Sequence, residues 1–306
     1  MKEHKEILNA GIIGLSEGNG HPFSWAAICN GYDEVEMKKC PFPSIPEYLS
    51  KQIWPADRFN EMRITHIWTQ DQGTSNLIAK ASKIPFIVND YLELVDQVDL
   101  VLLARDDAEN HLKMSSGFLK AGLPVLIDKP FALEESDALS MLELQRFEYQ
   151  IFTCSSLRYA EEIMLTDQER RLIGNVLRIK AQSPKYWETY GVHLIEPIIV
   201  QFSDRGNIDS VYARKENEEL CVTVNWDSIT AELSFTGKKI SPISFTYIGE
   251  KAHITKEFTN SFKCFRKTLE EFVNQTKKRK VLIDRNETLE IVKIIECGQK
   301  TINYGH

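Results

Sequence analysis

Residues 98–132 read VDLVLLARDDAENHLKMSSGFLKAGLPVLIDKPFA, and their pattern decides the fold. Residues 98–104 are apolar except for Asp99, the composition of a strand covered on both faces. Residues 108–121 read as a helix stopped by Gly122, and residues 125–128 as the next strand. Strand, helix and strand in that order require parallel pairing and a right-handed crossover.

The same alternation continues on both sides. Upstream lie a strand over 7–13, a helix over 23–30 opening after Pro22, a strand over 64–68, a helix over 75–82 and a short strand over 86–88. Downstream lie a helix over 134–150 and a strand over 151–154. Residues 1–155 are therefore expected to form a doubly wound α/β domain. The pattern then changes. After a helix over 160–172, strand-like runs recur at 176–182, 208–214, 220–226, 229–235, 244–247 and 253–258. Short polar turns between them imply a mostly antiparallel sheet, covered by helices over 189–202, 262–275 and 287–302. Residues 156–306 are thus expected to be an α+β domain.

One connection is too long for a minimal fold. Residues 31–62 carry four prolines (41, 43, 46, 55) where a crossover usually needs a few residues. The connection leaves the sheet at its amino edge, opposite the ligand edge, so its expected role is packing or subunit contact, with a substrate lid as the alternative.

Composition narrows the functional classes. The 306 residues are enough for two domains, each with its own core. With 42% hydrophobic and 26% charged residues, the chain is too apolar for disorder. A net charge of −7 disfavours general nucleic-acid binding, and the basic run at 277–280 reads as a solvated turn. No apolar stretch approaches the ~20 residues needed to span a bilayer. The segment Met1–Glu6 has no apolar run behind it that would make a signal peptide. Six scattered cysteines without a C-x-x-C pair read as free thiols of a cytoplasmic protein, with no metal site expected.

The candidate chemistry gathers at strand ends. Gly14, Gly18 and Gly20 follow the first strand, where glycines let a backbone approach a pyrophosphate; Ser16, Asn19 and His21 share the loop. The spacing is G-x-x-x-G-x-G, not G-x-G-x-x-G. Thr69 falls where a ribose-binding carboxylate is expected, followed by Gln70 and Asp71. Either Asp71 reaches the ribose or Thr69 and Gln70 contact it as neutral groups, which leaves NAD and NADP both open. Arg105 and Asp128, after the next strands, complete the candidate cofactor edge. Lys129 closes the fifth strand before Pro130, a candidate cis proline. A cation there steadies the alkoxide that develops as hydride leaves a carbinol, although lysine is most often a solvated surface residue.

His193 opens an amphipathic helix and is a candidate proton acceptor, or a packed histidine. Tyr186, Trp187 and Tyr190 suit the apolar faces of a sugar ring, or a core. His21 and His111 read first as structural.

Taken together the chain resembles the Gfo/Idh/MocA family of oxidoreductases. The stretches GIIG (11–14), VDLVLLA (98–104), the run from His111 through AGLPVLIDKPFA (121–132), LRY (157–159), LIGNV (172–176) and GVHLIE (191–196) follow the family's order. The resemblance implies a Rossmann domain binding NAD or NADP and a sugar, cyclitol or nucleotide-sugar substrate. It implies Lys129 beside nicotinamide and substrate, His193 as acid/base, and Arg158 or Tyr159 orienting the substrate. It also implies a homodimer or homotetramer through the C-terminal sheet. Thr189 stands where many members carry aspartate, Glu196 replaces another, and the glycine loop is irregular. These departures leave two alternatives. One is a non-catalytic NAD(P)-binding sensor or scaffold. The other is a cofactor-dependent glycosidase of the kind the family includes.

Overall fold

The computed structural model describes residues 5–216 and 219–304, so four of the residues read above as excluding a signal peptide, 1–4, lie outside it. The chain divides into two compact units. The first comprises the chain up to Phe131 with Ser136–Thr153 and Ser261–Asp284; the second comprises Ala132–Glu135, Cys154–Asn260 and the residues from Arg285.

The first unit begins with strand β1 (Leu8–Ile13), helices α1 (His21–Asn30), α2 (Glu34–Met37) and α3 (Ser44–Ser50), strand β2 (Met62–Trp68) and helix α4 (Gln72–Ala81). It continues through β3 (Phe86–Ile87), β4 (Leu100–Leu103), α5 (His111–Ala121), β5 (Val125–Ile127), α6 (Glu135–Glu143) and β6 (Ile151–Phe152). The six strands are all parallel, in the order β3-β2-β1-β4-β5-β6. The order reverses between β1 and β4, so the crevice at their carboxyl ends is where a dinucleotide lies in this topology. All four β4 residues are fully buried, as the apolar run at 98–104 requires. The peptide bond between Lys129 and Pro130 is cis.

One helix of this unit differs from the sequence expectation. The helix expected over 134–150 ends at Glu143, because residues 144–150 are needed elsewhere. The fully buried Gln150 side chain donates to the carbonyls of Leu119, in the last turn of α5, and Leu123, just after it, and its own Oε1 accepts from Arg146 N. The insertion 31–62 is not confined to the amino edge. A Cβ on Gly20 would lie 2.5 Å from Ile45 Cδ1 and 2.7 Å from Phe42 Cδ2, so the insertion packs directly onto the glycine loop.

The second unit adds α7 (Asp167–Ile173), β7 (Val176–Ser183), α8 (Trp187–Gln201), β8 (Ile208–Glu216), β9 (Glu219–Trp226), β10 (Thr230–Phe235), β11 (Ser244–Gly249) and β12 (His253–Glu257). Its sheet runs β12-β11-β7-β10-β9-β8, antiparallel except for the parallel β7–β10 pair. The helix expected from residue 160 starts only at Asp167, where Thr166 and Glu169 form a reciprocal capping box. Helix α9 (Ser261–Lys278) returns to the first unit, against α1 and α3, and α10 (Arg285–Tyr304) packs on α8 and β8 in the second. No helix among the described residues is long and apolar enough to cross a membrane.

Candidate active site

At the carboxyl edge of the first sheet, the glycine loop closes on itself before it meets anything else. Asn19 N donates to Ser16 O, and Asn19 Oδ1 accepts from His21 N. Pro22 has no N–H, and the Phe23 and Ser24 amides both donate to Gly20 O. Helix α1 therefore spends its first donors internally. The open donors are in the loop: among the described residues, the amides of Glu17, Gly18 and Gly20 meet no backbone acceptor. Gly18 has φ of 76°, and a Cβ there would point into open space. Gly14 and Gly20 instead serve close packing, since a Cβ on Gly14 would lie 2.3 Å from Pro22 Cγ. The loop thus fits an anionic pyrophosphate at residues 17–20, through loop amides rather than the helix start.

The residues expected to bind ribose are largely engaged. Thr69 is buried, its hydroxyl donating to Asp71 O and pairing with Ser75 Oγ. Asp71 accepts from Thr74 Oγ1 and, capping α4, from Thr74 N, and these hydrogen bonds hold its carboxyl below its ordinary value. Gln70 clamps Leu15, accepting from its N–H and donating to its carbonyl. Arg105 joins that clamp through Gln70 Oε1, and its charge is matched by Asp107 at 2.5 Å. Gln70 and Arg105 therefore shape the loop.

Lys129 is buried, unlike the solvated lysine of the alternative reading, and its Nζ lies 3.2 Å from Asp106 Oδ2. The other Asp106 oxygen accepts from Ser16 Oγ at 2.5 Å. Burial pushes the Asp106 carboxyl up, but the Lys129 ammonium and the Ser16 hydroxyl outweigh it and hold it below its ordinary value. Asp106 was not selected from the sequence. Its only signal was its place just after the fourth strand. Asp128, 2% exposed, accepts from Lys129 N, Asn19 Nδ2 and His21.

The second unit gathers the other candidates around α8. His193 Nδ1 lies 2.7 Å from Ser155 Oγ, and its ring meets Tyr190 edge-on at 4.8 Å. Lys185 Nζ in turn lies 4.6 Å from the Tyr190 ring centre. Ser155 N donates to Glu196, whose other oxygen pairs with Arg158 at 2.6 Å. A second Arg158 nitrogen reaches Glu287 at 3.2 Å. Burial works to lower the Arg158 pKa, but the Glu196 carboxylate prevails and the guanidinium stays charged. Arg158 also lies 5.8 Å from the Tyr159 ring centre. Tyr186 is exposed. Trp187, in contrast, is fully buried, packed edge-on to Phe235, with its indole N–H donating to Ile295 O. The reading of Trp187 as a sugar-facing residue is therefore corrected: its N–H and both faces are consumed by the core. The six cysteines are free thiols, and no group of metal-ligating side chains exists among the described residues.

Residues 48–154 match the model of an oxidoreductase family with an NAD-binding Rossmann fold. No curated protein sequence matches the chain. Solved structures share the fold over nearly its whole length. The myo-inositol 2-dehydrogenase of Lactobacillus plantarum is 14% identical, with 98% of each chain covered and a TM-score of 0.69. The scyllo-inositol dehydrogenase of Lactobacillus casei, solved with NAD(H) and scyllo-inositol, is also 14% identical, with 96% of each chain covered and a TM-score of 0.69. The biliverdin reductase of Synechocystis, solved with biliverdin and NADP+, is 14% identical over 97% of this chain and 99% of its own, with a TM-score of 0.68. Residues 48–154, largely within the Rossmann unit, are thus similar to the Gfo/Idh/MocA oxidoreductases, and the solved structures share the fold of the whole chain.

Proposed function

We propose that the chain is an NAD(P)-dependent dehydrogenase or reductase acting on a CH–OH or carbonyl carbon of a sugar, cyclitol or nucleotide-linked sugar. The observation that carries the reading is Lys129. It is an ammonium buried at the carboxyl end of a Rossmann strand, one residue from the aspartate that grips the glycine loop. A lysine without a task at such a place would cost desolvation energy for nothing. The amides of Glu17, Gly18 and Gly20 would hold the pyrophosphate, and a bound nicotinamide would supply the hydride acceptor or donor.

Lys129 hydrogen-bonds the reacting oxygen and stabilises the charge that develops on it. Asp106 and Ser16 keep the ammonium in place. A histidine accepts the hydroxyl proton, and His193 is the one the sequence selects. Arg158 is anchored by two glutamates and so serves to fix the segment bearing Tyr159 and Ser155. Tyr186, Tyr190 and Tyr159 supply ring surface for a sugar-like substrate. The reading includes a cytoplasmic homodimer or homotetramer built through the second sheet, which light scattering checks.

The test is turnover of NAD+ and NADP+ with a panel of polyols beginning with myo-inositol and scyllo-inositol, followed by nicotinamide absorbance. Turnover that disappears in Lys129→Ala supports the reading. Dinucleotide binding with no turnover across the panel would transfer support to a sensor or scaffold.

A further inference from the structure

We propose that His21, held by Asp128, is a proton-transfer residue of the Rossmann unit, placed beside the oxygen-polarising Lys129. The proposal rests on the oxidoreductase reading for its reaction and on geometry for its assignment. His21 Nδ1 lies 2.5 Å from Asp128 Oδ2. The same oxygen receives Asn19 Nδ2 at 2.8 Å, and Oδ1 receives Lys129 N at 2.8 Å. Asn19 Nδ2 and Lys129 N can only donate, so Asp128 acts purely as an acceptor. The proton of a neutral His21 ring must then reside on Nδ1, which leaves Nε2 with its lone pair.

The ring is also fixed in direction. It stacks on Trp25, four residues along α1, with centroids 4.6 Å apart and planes 14° from parallel. Phe265 of α9 meets it edge-on at 5.0 Å. The side chain keeps 17% of its surface open, and Nε2 has no hydrogen-bond partner among the described residues. A carboxylate-oriented imidazole with a bare Nε2, on a side chain that keeps part of its surface open, is the arrangement that general bases require. A packing histidine would not need a carboxylate that is itself 2% exposed and joined through its own backbone to Lys129.

In the oxidative direction the substrate O–H bond breaks and its proton passes to Nε2. A bound nicotinamide would take the carbinol C–H electron pair as hydride, the C–O bond becoming C=O. The imidazolium formed faces Asp128, which stabilises it as it forms. The reverse sequence returns the proton during reduction.

Two measurements test this. In the full-length protein with ¹⁵N-labelled histidine and no cofactor, the His21 nitrogens should report protonated Nδ1 and bare Nε2. Asp128→Asn should abolish that preference. A wild-type spectrum with Nε2 protonated would overturn the assignment. His21→Asn keeps an amide donor near Asp128 while removing Nε2. With the polyol of the panel that turns over, it should lose roughly 10²-fold or more in kcat, with NADH affinity changed less than about threefold (1.4 kcal/mol being tenfold). His21→Asn turning over at the wild-type rate would overturn the role. If the wild type turns over nothing in the panel, the oxidoreductase reading fails, and the nitrogen spectrum alone then upholds or overturns the Asp128-held tautomer.

Discussion

Each unit of this protein places a histidine near a buried carboxylate, and the two arrangements differ in who holds the carboxylate. In the first, Asp128 grips the imidazole of His21 directly. In the second, Glu196 is taken by Arg158 and by the Ser155 amide, and the Ser155 hydroxyl stands beside His193. A carboxylate facing an imidazole sets its tautomer and stabilises its charged form. A carboxylate facing a guanidinium builds structure, and its influence on the histidine arrives through a neutral hydroxyl. The comparison suits the first histidine to the proton transfer proposed for it, beside the His193 that the sequence selects.

The largest effect should come from breaking the structural pair. Arg158→Met leaves Glu196 buried without its cation, and stability should fall by about 3–5 kcal/mol, read by denaturant unfolding. A loss below 1 kcal/mol would show that Glu196 is not held as described. Next comes the chemical centre of the first unit. Lys129→Ala should lower kcat by on the order of 10²–10³ while NADH affinity stays within a few-fold; unchanged turnover would remove Lys129 from the reaction.

A smaller change is expected from Ser155→Ala, which deletes the hydroxyl beside His193. It should cost about 1 kcal/mol of stability and reduce kcat by less than about tenfold. A loss as large as that of His21→Asn would reverse the ranking of the two histidines.

The smallest effect concerns acid. The Asp106 carboxyl is held below its ordinary pKa, because Lys129 and Ser16 outweigh burial. The unfolded chain therefore binds that proton first, so the stabilisation is complete above the ordinary carboxylate pKa of about 4. It is lost as the pH falls through the folded value. Asp106→Asn should flatten the acid side of the stability curve, and an unchanged slope would argue against the Lys129–Asp106 pair.

The parallel sheet was legible because strands covered on both faces leave apolar runs such as 98–104, and the helices because caps mark their ends. Lys129 was legible for the same reason: its strand announces itself. The partners of the site were not. Asp128 meets His21 only because parallel pairing brings the ends of β1 and β5 to one edge, and no local pattern encodes that meeting. The glycine loop misled in a different way. Of its three glycines, Gly18 alone opens to free space, while Gly14 and Gly20 are small because Pro22, Ile45 and Phe42 crowd them. The family match begins at residue 48, beyond this loop. Tyr186 and Trp187 are adjacent aromatics with opposite fates, decided by the turn into α8 rather than by residue type.

The most direct test of the account is a titration of the purified protein with NADH and with NADPH, following nicotinamide fluorescence and melting temperature together. Saturable binding of one of them, with a melting temperature that rises with its concentration, is the expected result. Failure of both to bind would contradict the assignment of residues 17–20 as a dinucleotide cradle, and with it the dehydrogenase.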